Sequence, residues 1–215
     1  MPRHRLVSIR KNLSQKRKIL KYKPPVYLLF SGGIDSTALI HFFLSQKYPI
    51  YLYHIDYGQL SKRNELNSIR RISKYFGLQF ETIHIKGLGK MGGGEILGRN
   101  AAFICLALMK QKKITSGLLA MAIHNGSLYV DSTKIFMKLM QSILDLYTDG
   151  KIKFSCPFID WYKEDIVLYC KKKKIPIYLT YSCELGLKQP CGKCNSCNDL
   201  LKLKLSTNGI FGKKQ

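Results

Sequence analysis

Two groups of residues in this 215-residue chain have the types and spacing to do chemistry. The first is Ser31-Gly32-Gly33-Ile34-Asp35-Ser36, which follows the apolar run 26–30 and precedes a stretch with Ala38, Leu39, Phe42 and Phe43 at helical spacing. Adjacent glycines let the backbone approach an anion closely and take positive φ. The N–H groups that open the following helix then converge on the ligand, and the helix dipole favours negative charge there. Ser31 and Ser36 add hydroxyl donors. Asp35 would repel a phosphate, so a magnesium bridge or a loop-orienting role suits it better. The motif lacks the lysine of the G-x-x-x-x-G-K-[ST] loop. Ser-Gly-Gly alone could be an ordinary capped turn; the full hexapeptide between strand and helix reads as a phosphate cradle.

The second group is Cys183, Cys191, Cys194 and Cys197, spaced C-x₇-C-x₂-C-x₂-C. Thiolates bind Zn²⁺ well, and two-residue spacers let neighbouring ligands reach one tetrahedral ion. Four protein ligands fill the shell, so the metal would be structural. An iron–sulfur cluster is the competing occupant. Pro190, Gly186 and Gly192 supply turns, and Lys188 and Lys193 offset part of the negative charge. Cys105 and Cys170 fall in apolar helical patterns and read as core thiols. Seven cysteines with no export signal argue against a disulfide framework and for a reducing cytoplasm.

The elements that must position these groups follow from periodicity. Strands are expected at 26–30, 50–55, 80–85, 117–123 and 175–179. Helices are expected after residue 36, at 62–76 with Gly77 as C-cap, at 100–112, 133–147 and 162–172. A glycine-rich loop fills 86–98. Strands alternating with helices predict an α/β fold with a doubly wound, mostly parallel sheet. The predicted organisation is a basic arm at 1–25, a nucleotide domain at 26–180 and a small cysteine-bearing segment with a basic tail at 181–215. The net charge is +23, and nine Lys/Arg with no acid lie in the arm. Such a field attracts polyanions, nucleic acid among them. A chain rich in Lys, Ile, Asn and Tyr can also be basic through compositional bias. No apolar run reaches the roughly 18 residues of a membrane span.

The loop at 31–36 resembles the pyrophosphate loop of ATP-pyrophosphatases, which generally cleave ATP between the α and β phosphates. Asp56-Tyr57-Gly58-Gln59, Gly98-Arg99-Asn100, Ser182-Cys183 and the run 190–197 (Pro-Cys-Gly-Lys-Cys-Asn-Ser-Cys) follow it in order. Over about residues 26–202 the chain thereby resembles the 7-cyano-7-deazaguanine synthase family. The resemblance implies an adenine nucleotide alpha hydrolase-like fold with ATP, Mg²⁺ and Zn²⁺ as cofactors. It implies an ATP site of Ser31, Gly32, Gly33, Asp35 and Ser36, with Asp56 facing the nucleotide. Gly98, Arg99, Asn100, Tyr129 and Asp131 would hold the substrate. Asp35, Ser36, Arg99 and Lys163 would form the catalytic set, Lys163 touching phosphate from the start of a helix. His54 and His124 read as structural.

The implied reaction adenylates 7-carboxy-7-deazaguanine, admits ammonia to give the amide, and activates the amide for dehydration to the nitrile. The chain departs from the family at 124–133. The family usually has an aspartate and then a Tyr-Pro-Asp-Cys-Arg run; here Tyr129 and Asp131 match, whereas Asn125, Val130, Ser132 and Thr133 do not. Residues 86–98 also look short. Three other readings therefore stand beside the synthase. One is an adenylating enzyme with a changed acceptor, such as a protein amine. Another is a tRNA-modifying enzyme served by the basic arm. The last is a non-catalytic zinc-knuckle nucleic-acid-binding protein. The expected partners are a deazaguanine acid, ammonia and a second copy of the chain.

Overall fold

The computed structural model describes residues 23–92, 94–111, 116–126 and 129–204; the basic arm, apart from residues 23–25, lies outside them. The elements run β1 (Val26–Leu29), α1 (Ile34–Ser45), β2 (Ile50–Asp56), α2 (Lys62–Phe76), β3 (Phe80–His84), α3 (Arg99–Met109), β4 (Gly117–Ala120), α4 (Lys134–Thr148), β5 (Ile152–Ser155), α5 (Lys163–Lys172) and α6 (Asn195–Lys202). Short 3₁₀ turns occupy Val130–Ser132 and Ile177–Leu179.

The five strands are all parallel in the order β3-β2-β1-β4-β5. The chain builds outward from β1 through β2 to β3, and α3 then carries it back to start β4 on the other side of β1. That reversal opens a crevice at the carboxyl ends of β1 and β4, the usual ligand position in such sheets. The loop at 31–36 leaves β1 into this crevice, and the loop carrying His124 leaves β4 into it.

Helices cover both faces, so the central strands are apolar on both sides. Val26, Leu28 and Phe30 pack with Leu39, Ile40 and Phe43 of α1, Ile69 and Ile72 of α2, and Ile166 of α5. Leu29, Tyr53, Ile55 and Leu119 face the other way, against Ile104 of α3, Met140 and Leu144 of α4, and Ile152 of β5. Helix α1 is buried around much of its girth because α5 lies over it, with His41 Nδ1 2.8 Å from the Tyr169 hydroxyl.

Helix α2 occupies the expected span, and Gly77 closes it at φ 66°. Residues 175–179, expected as a strand, contain the 3₁₀ turn instead. Pro176 has no N–H to give a ladder, and the sheet edge is already taken by β5. Strand β5 itself was not expected. It is four residues long, with only Ile152 and Phe154 inward, and it follows a turn with Asp149 and Gly150 at positive φ.

The first strand is tied to the second just before the phosphate-type loop. His54 Nδ1 lies 3.3 Å from the Phe30 carbonyl; a carbonyl only accepts, so Nδ1 carries the proton. The ring is 1% exposed and Nε2 has no partner. Burial pushes this imidazole down to about 4 from the ordinary 6.5. The unfolded chain therefore takes up the proton first as pH falls, and stability drops between roughly pH 6.5 and 4, by about 3 kcal/mol at most from this group. Urea titrations across that range should show a shallower loss for His54→Gln than for the wild type. Parallel curves would contradict the assignment.

Candidate active site and metal centre

Gly33 is the N-cap of α1, and its carbonyl accepts from the hydroxyls of Ser36 at 3.2 Å and Thr37 at 2.7 Å. Ser31 Oγ lies 3.2 Å from Ser36 Oγ and accepts the Gly33 N–H at 3.4 Å. Gly32, at φ 78°, is held from behind. A Cβ there would lie 3.0 Å from Ile69 Cγ1 and 3.2 Å from the Glu65 carbonyl oxygen, so no side chain fits without movement.

A cavity of about 340 Å³ opens beside this loop. Ser31, Gly33, Asp35, Ser36, His124 and Lys163 line it at the ends of β1 and β4. Lys163, the first residue of α5, places Nζ 2.6 Å from both oxygens of Asp35. The entry to α5 is fixed by the Tyr162 N–H donating to Asp165 Oδ2 at 2.8 Å. The same segment pins the loop after β4, since the Asn125 N–H donates to the Trp161 carbonyl at 2.7 Å. That bond sets His124 in the cavity wall, Nε2 3.9 Å from Asp35 Oδ2. His124, expected to be structural, therefore belongs to the polar group around the loop.

Elsewhere in the cavity wall are Tyr57, Gln59, Ser61, Glu65, Arg99 and Glu184. Glu65 accepts from Ser61 Oγ at 2.6 Å and Gln59 Nε2 at 2.7 Å. Burial pushes its carboxyl up against those two bonds and the attraction of Arg99. Burial also raises the Tyr57 hydroxyl, against the attraction of Arg99. Arg99 Nε is buried without a partner. Gly98, at φ 73°, turns the chain so that Arg99 opens α3. Asn100 is tied to Asp131 through its N–H and Nδ2, both at 3.3 Å.

Of the residues singled out from sequence, Ser31, Gly33, Asp35, Ser36, Arg99, Asn100, Tyr129 and Lys163 line one cavity. Gly32, Gly98 and Asp131 do not line it; they support residues that do. Asp56 is also off the lining. It pairs with Lys62 at 2.7 Å and His84 at 2.9 Å, and Oδ1 caps the Gly58 N–H. Glu65 and Glu184 carried no signal in the sequence. One looks like an exposed acid of a charged helix, and the other like filler after a cysteine.

The sulfurs of Cys183, Cys191, Cys194 and Cys197 lie within 4.8 Å of one another and could hold a metal ion. Cys191 and Cys197 are 3.8 Å apart, close to the edge of a tetrahedron with metal–sulfur bonds of about 2.3 Å. Cys191 Sγ accepts the N–H groups of Lys193 at 3.4 Å and Cys194 at 3.3 Å, which pull its thiol down to about 6. Burial raises Cys194 and Cys197. Glu184 joins this centre to the cavity. One oxygen accepts from the Ser196 N–H and hydroxyl at 3.2 and 2.9 Å, the other from the Gly94 N–H of the glycine-rich loop at 3.0 Å.

The family model described as "Queuosine biosynthesis protein QueC" matches residues 26–97 and 94–202, which include the loop, the cavity and all four clustered cysteines. The chain belongs to this family. A 7-cyano-7-deazaguanine synthase from Prochlorococcus marinus (strain MIT 9515) is 31% identical, with 79% of this chain and 88% of that protein covered. Proteins of the same name from Methanothermobacter thermautotrophicus and Picrophilus torridus are 26% and 31% identical; 79% and 82% of this chain and 89% and 84% of those proteins are covered. The match thus spans these relatives nearly end to end. Among the described residues no helix is long and apolar enough to cross a membrane.

If the four thiols hold a metal, a strong chelator should expose them. Titration of the native protein with a chromogenic disulfide should then find more reactive thiols after chelation than before, by the four of the cluster. An unchanged count would contradict a thiolate-bound metal.

Proposed function

We propose that this chain converts 7-carboxy-7-deazaguanine and ammonia to 7-cyano-7-deazaguanine, with ATP activating first the carboxylate and then the amide. The observation that carries this is the convergence, in one cavity, of the Ser31–Ser36 loop, the Lys163–Asp35 pair and Arg99. The family match and the name borne by its relatives support the same reaction.

In this reading the loop N–H groups and the hydroxyls of Ser31 and Ser36 hold ATP phosphates. Lys163 adds positive charge and is held in place by Asp35. A carboxylate resists attack until one oxygen becomes a leaving group; transfer of adenylate to it releases pyrophosphate, and charge developing there is met by fixed cations and N–H groups. Arg99, whose Nε is unpaired, would hold the acid or a phosphate through its planar fork. Both Asp35 oxygens contact Lys163 Nζ, so we give this carboxylate the role of holding the lysine rather than that of a magnesium ligand. Magnesium would come instead with the nucleotide's phosphates, whose charge it neutralises. The four cysteines fit zinc, whose closed tetrathiolate shell contributes folding energy. Because those thiols must stay reduced, we place the protein in the cytoplasm.

A changed acceptor is the second reading, motivated by the departures at 124–133, first among them Asn125 where the family carries aspartate. Its side chain is used locally: Oδ1 accepts the Gly126 N–H at 2.9 Å, and the residue does not line the cavity. Ser132, another departure from the family, does line it and is the observation that supports this second reading.

Protein incubated with ATP, Mg²⁺, ammonium and 7-carboxy-7-deazaguanine should yield the nitrile, AMP and pyrophosphate by mass spectrometry. Lys163→Met should cut the rate by roughly 10²-fold or more with an unchanged circular dichroism spectrum. Nucleotide binding without any nitrile would contradict the reaction, and an unimpaired Lys163→Met enzyme would contradict the role of the lysine.

A further inference from the structure

Both nitrogen-handling steps of the proposed reaction release protons. Ammonia attacks the acyl adenylate, the C–O bond to AMP breaks, and the new nitrogen must lose a proton to become a neutral amide. After the second activation, the adenylated amide loses N–H protons as its C–O bond to AMP breaks and the C≡N bond forms. The first activation is different, because a carboxylate attacking ATP has no proton to give up. A base is therefore needed in the nitrogen steps and idle in the first.

Several groups that line the cavity are already committed. Both Asp35 oxygens lie 2.6 Å from Lys163 Nζ, and an ammonium has no lone pair to accept a proton. Glu65 accepts from Ser61 and Gln59. His54 is sealed at 1% exposure. His124 differs from all of these. Its Nδ1 lies 2.6 Å from the Asn125 carbonyl, which can only accept, so Nδ1 carries the proton and, in the neutral ring, Nε2 is the nitrogen that presents a lone pair. Nε2 is 3.9 Å from Asp35 Oδ2, too far to bond it but close enough for both to contact one N–H-bearing atom between them. The ring is oriented by a backbone carbonyl, as a general base requires. Its loop is anchored by the Asn125–Trp161 bond one residue before the Tyr162 cap of α5.

We infer that His124 is a catalytic residue, the proton acceptor for the incoming nitrogen and then for the activated amide, acting beside the Asp35–Lys163 pair. This rests on the reaction proposed above.

The test separates the half-reactions. Acid-dependent exchange of labelled pyrophosphate into ATP reads the first activation alone; amide and nitrile formation read the nitrogen steps. In His124→Gln, exchange should stay within about threefold of wild type, while amide and nitrile formation fall roughly 10²- to 10⁴-fold. In His124→Ala, added imidazole should restore part of the lost nitrile formation, which a merely structural role would not allow. Nitrile formation preserved in His124→Gln would overturn the inference, as would exchange lost in parallel with it. A wild-type protein that exchanges pyrophosphate but forms neither amide nor nitrile would overturn the reaction itself.

Discussion

The carbonyl of Gly32 is the joint on which the site depends. It accepts the Tyr181 N–H at 3.0 Å and faces the Ser68 hydroxyl at 2.8 Å; that hydroxyl also lies 2.7 Å from the Leu179 carbonyl. One peptide group thus ties the loop after β1 to α2 and to the segment leading into Cys183. Leaving such a buried carbonyl unpaired would cost about 1–3 kcal/mol. The cysteine segment is consequently docked against the nucleotide-type domain. Asn64 Nδ2 reaches the Gly186 carbonyl at 2.8 Å, and the Tyr181 hydroxyl reaches the Leu187 carbonyl at 2.8 Å. Gly186 lies so close to Leu60 that a Cβ would overlap the Leu60 carbonyl, so glycine is required there. A structural metal at the four cysteines would then stiffen the back of the loop, although no metal ligand belongs to the loop.

The other wall is held by a second set of constraints. The Trp161–Asn125 bond aligns the loop after β4 with the start of α5, and so brings Lys163 and His124 to Asp35. The Lys163 contact offsets the Asp35 carboxylate, whose bare charge would oppose an anion at the loop. Glu184 closes the roof by joining the N-terminus of α6 to Gly94. Both walls converge at the strand ends because β1 and β4 are neighbours in a sheet whose order reverses there.

Much of this was legible in the sequence because it is written in local pattern. The hexapeptide at 31–36 sits between an apolar strand and a helix, the cysteine spacing suits one ion, and α2 carries its apolar residues at a clear 3.6 period with Gly77 behind them. What was not legible depends on distant chain. Strand β5 is too short to show a period, and Pro176 alone stood against a strand at 175–179. His124 has no local signal that points it at Asp35; that takes the bond from its neighbour Asn125 to Trp161, 36 residues beyond Asn125. Asp56 sits at a strand end, where ligands are common, but Lys62 and His84 claim it. Glu65 and Glu184 acquire meaning only once the cavity is closed around them.

The central claim is that the loop at 31–36 is a nucleotide cradle whose shape depends on the Gly32 joint. Calorimetric titration of ATP into the wild type and Gly32→Ala, with metal content measured in both, tests it most directly. The account predicts that the wild type binds ATP, and that the variant keeps its metal but loses about tenfold or more in affinity, since the added Cβ must displace the loop against Ile69 and the Glu65 carbonyl. Equal affinity in the two proteins would contradict it.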